Sequence, residues 1–468
     1  MVTFRSRAAT LSYDLRSPEE KVLMAPKVLV KGMALRGRAE ALEVKLDTVK
    51  EGMGENRTIL TVVVLQVAGV IAYFVANWLF AVTAGPREYG VVAYTTAQST
   101  FLAGIVNLGL DHVLTKELAK NRLSPIVGAV FLLRVALLMI MIIVIAFLAF
   151  IQSADPQIRV CVLVFGLCNI FVTTDLHNYF DIDNRIPLHM AALFFQRVLF
   201  LMLVMALIWL KPSWVMAASY GILLLSTVMM STLFQILIYG QEAWRTLRTA
   251  DVYALKAFIR TYWQMPLIMM LFQLGTNIYS IMLPWYTSLA ETGRFSVAYQ
   301  VVISLGYLMN IPGRVVFPRL ALLLATKHNK WDEASVAFKK FTFEAIWAGI
   351  CLAPLVALGS YLLLPHLFGN NFAGTESVLA LMAVRIPFAL VGSFTIGSLV
   401  LVGLETRYLE LTLAAVALAF VLNMIFIPLW GMYGAATSCL IQYLFYTSSS
   451  WVSVNRALMK RRIESRVS

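Results

Sequence analysis

The sequence is poor in charge: Asp, Glu, Lys and Arg make up 13% of its 468 residues, about half the share usual in a soluble domain. So small a polar complement cannot cover a water-facing surface, which excludes a single water-soluble globule. Cysteine is also scarce. Cys161, Cys168, Cys351 and Cys439 show no CxxC spacing and no His/Cys cluster, which argues against a disulfide framework or a metal site and leaves packing as their role. There is no GxxxxGK[ST] phosphate loop, no HExxH pair and no nucleophile–base pairing. The chain is therefore expected to hydrolyse no ATP, to need no cofactor and not to be an enzyme. Acids are the rarer charge, 25 against 38 basic residues, for a net charge of +13. The basic residues sit in loops between apolar runs, so membrane orientation explains them and nucleic acid is not an expected partner. A secretory signal is excluded because the first apolar run begins late and is too long.

What is abundant is hydrocarbon. Hydrophobic residues are 60% of the chain and the mean hydropathy is +0.78. The runs Ile59–Phe80, Ile126–Ile151, Met190–Leu210 and Val215–Ile238 each exceed the ~18–20 residues that cross ~30 Å of hydrocarbon. The pattern predicts an all-α membrane protein of about twelve spans. They are placed near 59–82, 90–111, 126–151, 158–178, 189–210, 214–239, 263–288, 295–323, 341–364, 377–402, 408–428 and 434–454. Alternate loops then hold eighteen Lys and Arg on one side and three (Arg87, Lys211, Arg294) on the other. This bias places both termini in the cytoplasm, in a plasma or inner membrane of a bacterium or archaeon.

The organisation expected is a cytoplasmic segment at 1–58, a first six-helix lobe at 59–239, a cytoplasmic linker helix at 240–262, a second six-helix lobe at 263–454 and a basic tail at 455–468. Residues 1–58 carry eleven basic and eight acidic side chains and are partly amphipathic from Val28 to Val49. Two readings stand: a helix lying on the membrane surface, or a mis-set start, since Met53 directly precedes the first span. No loop is large enough for an attached catalytic domain.

Ionisable groups inside spans cost ~2.5–3.5 kcal/mol or more, and they face a cavity or a partner. Here they are mostly arginines: Arg134, Arg159, Arg197, Arg314, Arg319 and Arg385. The acids Asp111, Asp175 and Glu344 lie near span ends. Arg134, Arg197 and Arg385 are each read as about two turns into a helix, ~12 Å deep at 1.5 Å per residue. Guanidinium stays charged when partly dehydrated and grips phosphate with two parallel hydrogen bonds. Arg134, Arg197, Arg314 and Arg385 are therefore candidate residues of a cationic, anion-binding cavity. For Arg159 and Arg319, near the interfaces, pairing or snorkelling competes with that role. Asn77 and Asn277 are further polar candidates, against a commoner use as interhelical glue. Tyr73, Trp78, Tyr94, Trp285, Tyr286, Tyr299, Trp430 and Tyr433 are read as an interfacial aromatic belt at the outer face.

Four short segments carry a resemblance. Ala84-Gly85-Pro86-Arg87-Glu88-Tyr89-Gly90 follows the first span. Asn107-Leu108-Gly109-Leu110 and Thr115-Lys116-Glu117-Leu118-Ala119 close the second, and Ile427-Pro428-Leu429-Trp430-Gly431-Met432-Tyr433-Gly434-Ala435-Ala436 precedes the last. From about residue 57 to 455 the chain resembles the polysaccharide transporter, or O-antigen flippase, family of the multidrug/oligosaccharidyl-lipid/polysaccharide exporter superfamily. The resemblance implies two lobes related about the membrane normal. It also implies a lipid-linked oligosaccharide cargo on undecaprenyl pyrophosphate, flipped across the inner membrane for O-antigen (lipopolysaccharide), capsule or exopolysaccharide synthesis. Surrounding membrane lipid, a polysaccharide polymerase and other assembly proteins are the partners such a role implies. Relatives often carry Asp in the seventh span where this chain has Asn277, which leaves the coupling ion open. Two alternatives share the architecture: a multidrug/cation antiporter, which generally uses a buried carboxylate in the first lobe, and a peptidoglycan lipid-precursor flippase, usually of fourteen spans.

Overall fold

The computed structural model describes the backbone of residues 18–107, 118, 125–151, 155–183, 185–210, 216–306 and 331–467. It describes side chains from Leu60 onward, apart from a few positions in one short helix and at the chain's end. All regular structure among these residues is helical. The helices are α1 (Pro18–Asn107), α2 (Pro125–Ile151), α3 (Pro156–Thr173), α4 (His177–Ile182), α5 (Ile186–Leu210), α6 (Met216–Arg248), α7 (Val252–Tyr262) and α8 (Gln264–Tyr286). After them come α9 (residues 289–306), α10 (Trp331–Phe368), α11 (Thr375–Ala383), α12 (Ile386–Leu401), α13 (Glu405–Trp430) and α14 (Met432–Val467). Met1–Val64 and Leu65–Ser468 are separate compact units. In the first, the stretch expected to be amphipathic, 28–49, is helical backbone.

Helix α2 shows why lipid is the solvent. Val127, Val130, Arg134, Met141, Ile145 and Ala149 recur at helical spacing and are buried. The opposite stripe, Leu132, Val135, Met139, Ile143, Phe147 and Phe150, is just as apolar and is exposed. A helix apolar on every side has no water-facing side, and a continuous exposed apolar stripe belongs against hydrocarbon. Local signals set the ends. Asp155 accepts from the backbone N–H of Gln157 (2.9 Å) and Pro156 opens the first turn of α3. Asp251 does the same for Tyr253 at the start of α7 (3.1 Å).

The chain is a multi-pass membrane protein. By length and composition, eight helices among the described residues can cross a bilayer, or nine if the bent pair α11–α12 counts as one span. Three of the twelve predicted segments fall outside that count. The 48 residues from Leu60 to Asn107 are counted once, yet they break at Gly85, where φ is 82° and ψ is 173°. A straight helix of that length would run ~72 Å, more than twice the hydrocarbon thickness. Residues 307–330, which hold much of the predicted eighth span, lie outside the described residues. Helix α14 is too polar to qualify by composition, with Gln442 and Thr447–Ser450 in its middle.

Packing sorts the helices into two groups. In one, α3 packs on α6 and α2, and α5 on α6; in the other, α13 packs on α14 and α8, and α12 on α14 and α10. A single buried cluster bridges the groups, from Ala76, Phe80, Phe165 and Tyr220 to Ile278, Phe295, Val378 and Ala435. Elsewhere each group has its own core. Val130, Tyr179, Phe180 and Tyr239 belong to the first, and Phe338, Phe394, Tyr408 and Val454 to the second. The groups therefore share a core at the end near Gly85 and hold separate cores away from it.

Candidate functional site

The shared end is drawn together by glycine. Gly90 lies five residues after the Gly85 break, and Gly293 stands near the start of α9. A Cβ on Gly90 would overlap the carbonyl oxygen of Leu289 and lie 3.0 Å from the nitrogen of Gly293. A Cβ on Gly293 would overlap the carbonyl oxygen of Pro86 and lie 3.0 Å from the nitrogen of Gly90. The contact is reciprocal, as a local two-fold relation between the groups requires. Absent side chains allow the two backbones to touch. At the same end, Trp78 donates from Nε1 to the carbonyl of Leu367 across the groups (2.9 Å).

Beside this contact lies a cavity of about 120 Å³, lined by Tyr73, Asn77, Tyr89, Thr96 and Tyr220 from the first group and by Asn277, Ser280, Ser296, Tyr299 and Gln300 from the second. The lining mixes these hydroxyls and amides with the apolar Val92, Ala93, Ala97, Phe165, Leu224 and Ile303, and no charged side chain is among the described lining residues. Asn77 donates to the carbonyl of Tyr73 (2.7 Å) and its Oδ1 accepts from the Tyr220 hydroxyl (3.0 Å). Asn277 donates to the carbonyl of Gln273 (2.9 Å). The two asparagines singled out from the sequence thus line one cavity from opposite sides. Such a surface offers donors and acceptors to polyhydroxylated groups, with aromatic rings beside them.

The arginines are placed differently. Arg134 is 5% exposed and donates to the carbonyl and Oδ1 of Asn107 (3.3 and 3.2 Å). It lines a separate pocket of about 250 Å³ between α2, α3 and α6, with Thr173, Thr174, Asp175 and Trp244. Arg197 lies along Gly69 of α1. Arg159 is exposed. Arg314 and Arg319 lie outside the described residues. Arg385 lines a third pocket, with Tyr279, Tyr299, Cys439, Gln442 and Tyr443. Arg134, Arg197 and Arg385 therefore occupy three surroundings, and none of them lines the 120 Å³ cavity. Tyr299 is the link: it borders both that cavity and the Arg385 pocket.

Several expectations need correction. Arg385 is not two turns inside a helix; it sits at the 52° bend between α11 and α12, because Pro387 and the residues before it favour a new helix start there. Tyr299 is not in an exposed belt. It is 9% exposed, and its hydroxyl donates to the carbonyl of Thr276 (2.6 Å). Tyr73 lines the cavity and Tyr94 is buried, whereas Trp285, Tyr286, Trp430 and Tyr433 are exposed. Cys351 is exposed; the other three cysteines are buried. Glu344 pairs with Lys340 (3.8 Å), and Asp175 stands between His177 (3.7 Å) and His189 (3.9 Å).

Two helix groups meet at this cavity. The structure resembles that of the lipid II flippase MurJ in an inward closed conformation (TM-score 0.65, 13% identity, 86% of this chain and 91% of that one). It equally resembles an inward-facing multidrug resistance MATE family transporter of the MOP superfamily (TM-score 0.65, 15% identity, 84% and 96%). At this identity the likeness establishes the fold. The family follows from the sequence itself: the family model described as polysaccharide biosynthesis protein matches residues 56–324, more than half of the chain, and the chain belongs to that family. No curated protein matches it.

Proposed function

We propose that this protein is a flippase that moves an oligosaccharide linked to undecaprenyl pyrophosphate from the cytoplasmic to the outer leaflet of the inner membrane, for O-antigen, capsule or exopolysaccharide synthesis. The observation that carries this reading is the uncharged cavity between the helix groups, where hydroxyls and amides alternate with apolar and aromatic side chains, with a guanidinium one ring away. Sugars hydrogen-bond to neutral amides and hydroxyls, and a pyrophosphate calls for arginine. The 59–239 and 263–454 segments act as two six-helix lobes, twelve crossings in all, with both termini inside. Closure at Gly90 and Gly293, near the sparsely charged loops of Arg87 and Arg294, corresponds to an inward-open state. Outward movement of an anion is favoured by ~2.3 kcal/mol per charge per 100 mV of inside-negative potential, so the cargo's own charge supplies a driving force. Arg134, Arg197, Arg314 and Arg385 stabilise the pyrophosphate along its path, with Arg159 and Arg319 nearer the interfaces. A polymerase and other assembly proteins take up the product.

The cation-antiporter reading is disfavoured by the same cavity, which has no carboxylate to hold a cation. The experiment is deletion and complementation. Cells lacking the protein should retain lipid-linked oligosaccharide in the cytoplasmic leaflet and make no polymer. Unchanged polymer in the deletion strain would refute the proposal.

A further inference from the structure

Arg385 has little to balance its charge. One terminal nitrogen donates to the sulfur of Cys439 (3.2 Å), a weak acceptor. The guanidinium carbon lies 4.4 Å from the ring centre of Tyr443 and 6.0 Å from that of Tyr299. Its Nε is buried and has no hydrogen-bond partner. No carboxylate lines the pocket. The acids that α9, α13 and α14 carry, Glu291, Glu405, Glu410 and Glu464, are not among the lining residues, and residues 252–290, 292–331, 377–404 and 411–463 contain no Asp or Glu. Ring faces attract a cation, but they carry no net charge, so one positive charge remains in the interior of the second helix group.

The pocket has room for a counter-charge. Its volume is about 40 Å³, while ~10–15 Å³ suffices for one water-sized group. It therefore accommodates a small ion with some hydration while Tyr299 walls it off, and a pyrophosphate meets Arg385 only when the helix groups move and that wall opens. Gln442, Thr412, Thr276 and the hydroxyl of Tyr446 supply polar groups around it. The site is also a break in a span: α12 begins at Ile386, directly after Arg385, with no side-chain cap on its first N–H groups.

We propose that the Arg385 pocket is a binding site for one small monovalent anion, a halide such as chloride. Charge arithmetic selects the class. One guanidinium is neutralised by one negative charge, whereas a phosphate dianion would leave an excess negative charge in the same acid-free, base-poor interior. Tyr299 forms the wall towards the larger cavity, so the halide occupies the second group while the cavity between the groups is empty. The site goes beyond the transport reading and does not depend on it.

The test uses the purified full chain and needs no cargo. Sodium gluconate is replaced by sodium chloride at constant ionic strength while the chloride-35 linewidth and the melting temperature are followed. The wild type should show excess broadening that bromide displaces, and a higher melting temperature in chloride than in gluconate. Arg385→Gln should lose at least nine-tenths of that broadening. Should that variant not fold, Cys439→Leu, which keeps the charge but fills the void, should lose it as well. Absence of broadening in the wild type, or equal broadening in a folded Arg385→Gln or Cys439→Leu protein, overturns the proposal. So does displacement of chloride by an equal concentration of inorganic phosphate with greater stabilisation, which would assign the pocket to phosphoryl groups.

Discussion

Asn77 and Asn277 face each other across the central cavity and make the sharpest residue-level prediction. Each spends one amide N–H on the backbone of its own helix; Asn77 Oδ1 also accepts from Tyr220 and Asn277 also donates to the Thr276 hydroxyl, so cargo would exchange with or add to these bonds. Replacing either by Ala should lower export about tenfold, the equivalent of ~1.4 kcal/mol for a lost hydrogen bond, with little change in protein level. Polymer yield per molecule of protein in a complemented deletion strain measures this. Arg385→Lys should retain more export than Arg385→Gln, because it keeps the charge but not the planar fork. The same assay with both variants checks the order. The arginines were legible in the sequence because charge inside hydrocarbon is rare. Their separation was not, because a helical position fixes depth and says little about the neighbouring helix. Tyr299 was misread for a related reason: an aromatic near a span end suits an interface or an interior equally, and tertiary packing alone decides.

Among the elements, the α1 arm after Gly85 and α9 make the backbone contact that closes this end. A methyl group at Gly90 or Gly293 meets a backbone carbonyl, which cannot rotate away, so the helices must separate. The double variant Gly90→Ala/Gly293→Ala should open the far end of the cavity. In a Cys351→Ser background, a cysteine at Ser296 should then react several-fold faster with a membrane-impermeant maleimide added from outside. An unchanged rate in folded protein would remove Gly90 and Gly293 from the closing contact. The spans expected near 90–111 and 295–323 put Gly90 and Gly293 at or just before a span's start, but the carbonyl that each one meets belongs to the other helix. Helix α14 makes the opposite point. Its register was legible, yet Gln442 and the Thr447–Ser450 run made it too polar to pass as a lipid-facing span. It packs on α12 and α13, where neighbouring helices replace lipid as the surroundings of those polar groups.

For the whole molecule, the basic loops give an orientation that can be mapped. Single cysteines replacing Arg87 and Arg294 should label in intact spheroplasts, whereas those replacing Arg245 and Arg456 should label only after permeabilisation. Both outcomes reversed would invert the topology, and with it the side closed at Gly90. The fold class and the family were readable from apolar runs and loop motifs because both are local. The pairing of helices into two groups was expected only through resemblance, since no sequence signal states which runs touch. The most direct test of the central claim is transport by the protein alone. Proteoliposomes holding the full chain and a fluorescent oligosaccharide on undecaprenyl pyrophosphate would be followed with an impermeant glycan-cleaving enzyme. We predict protein-dependent crossing of the labelled glycan between leaflets, faster under a potential that pulls anions outward and slower in Arg385→Gln. No crossing above protein-free vesicles, by protein that is folded and correctly inserted, would contradict the account.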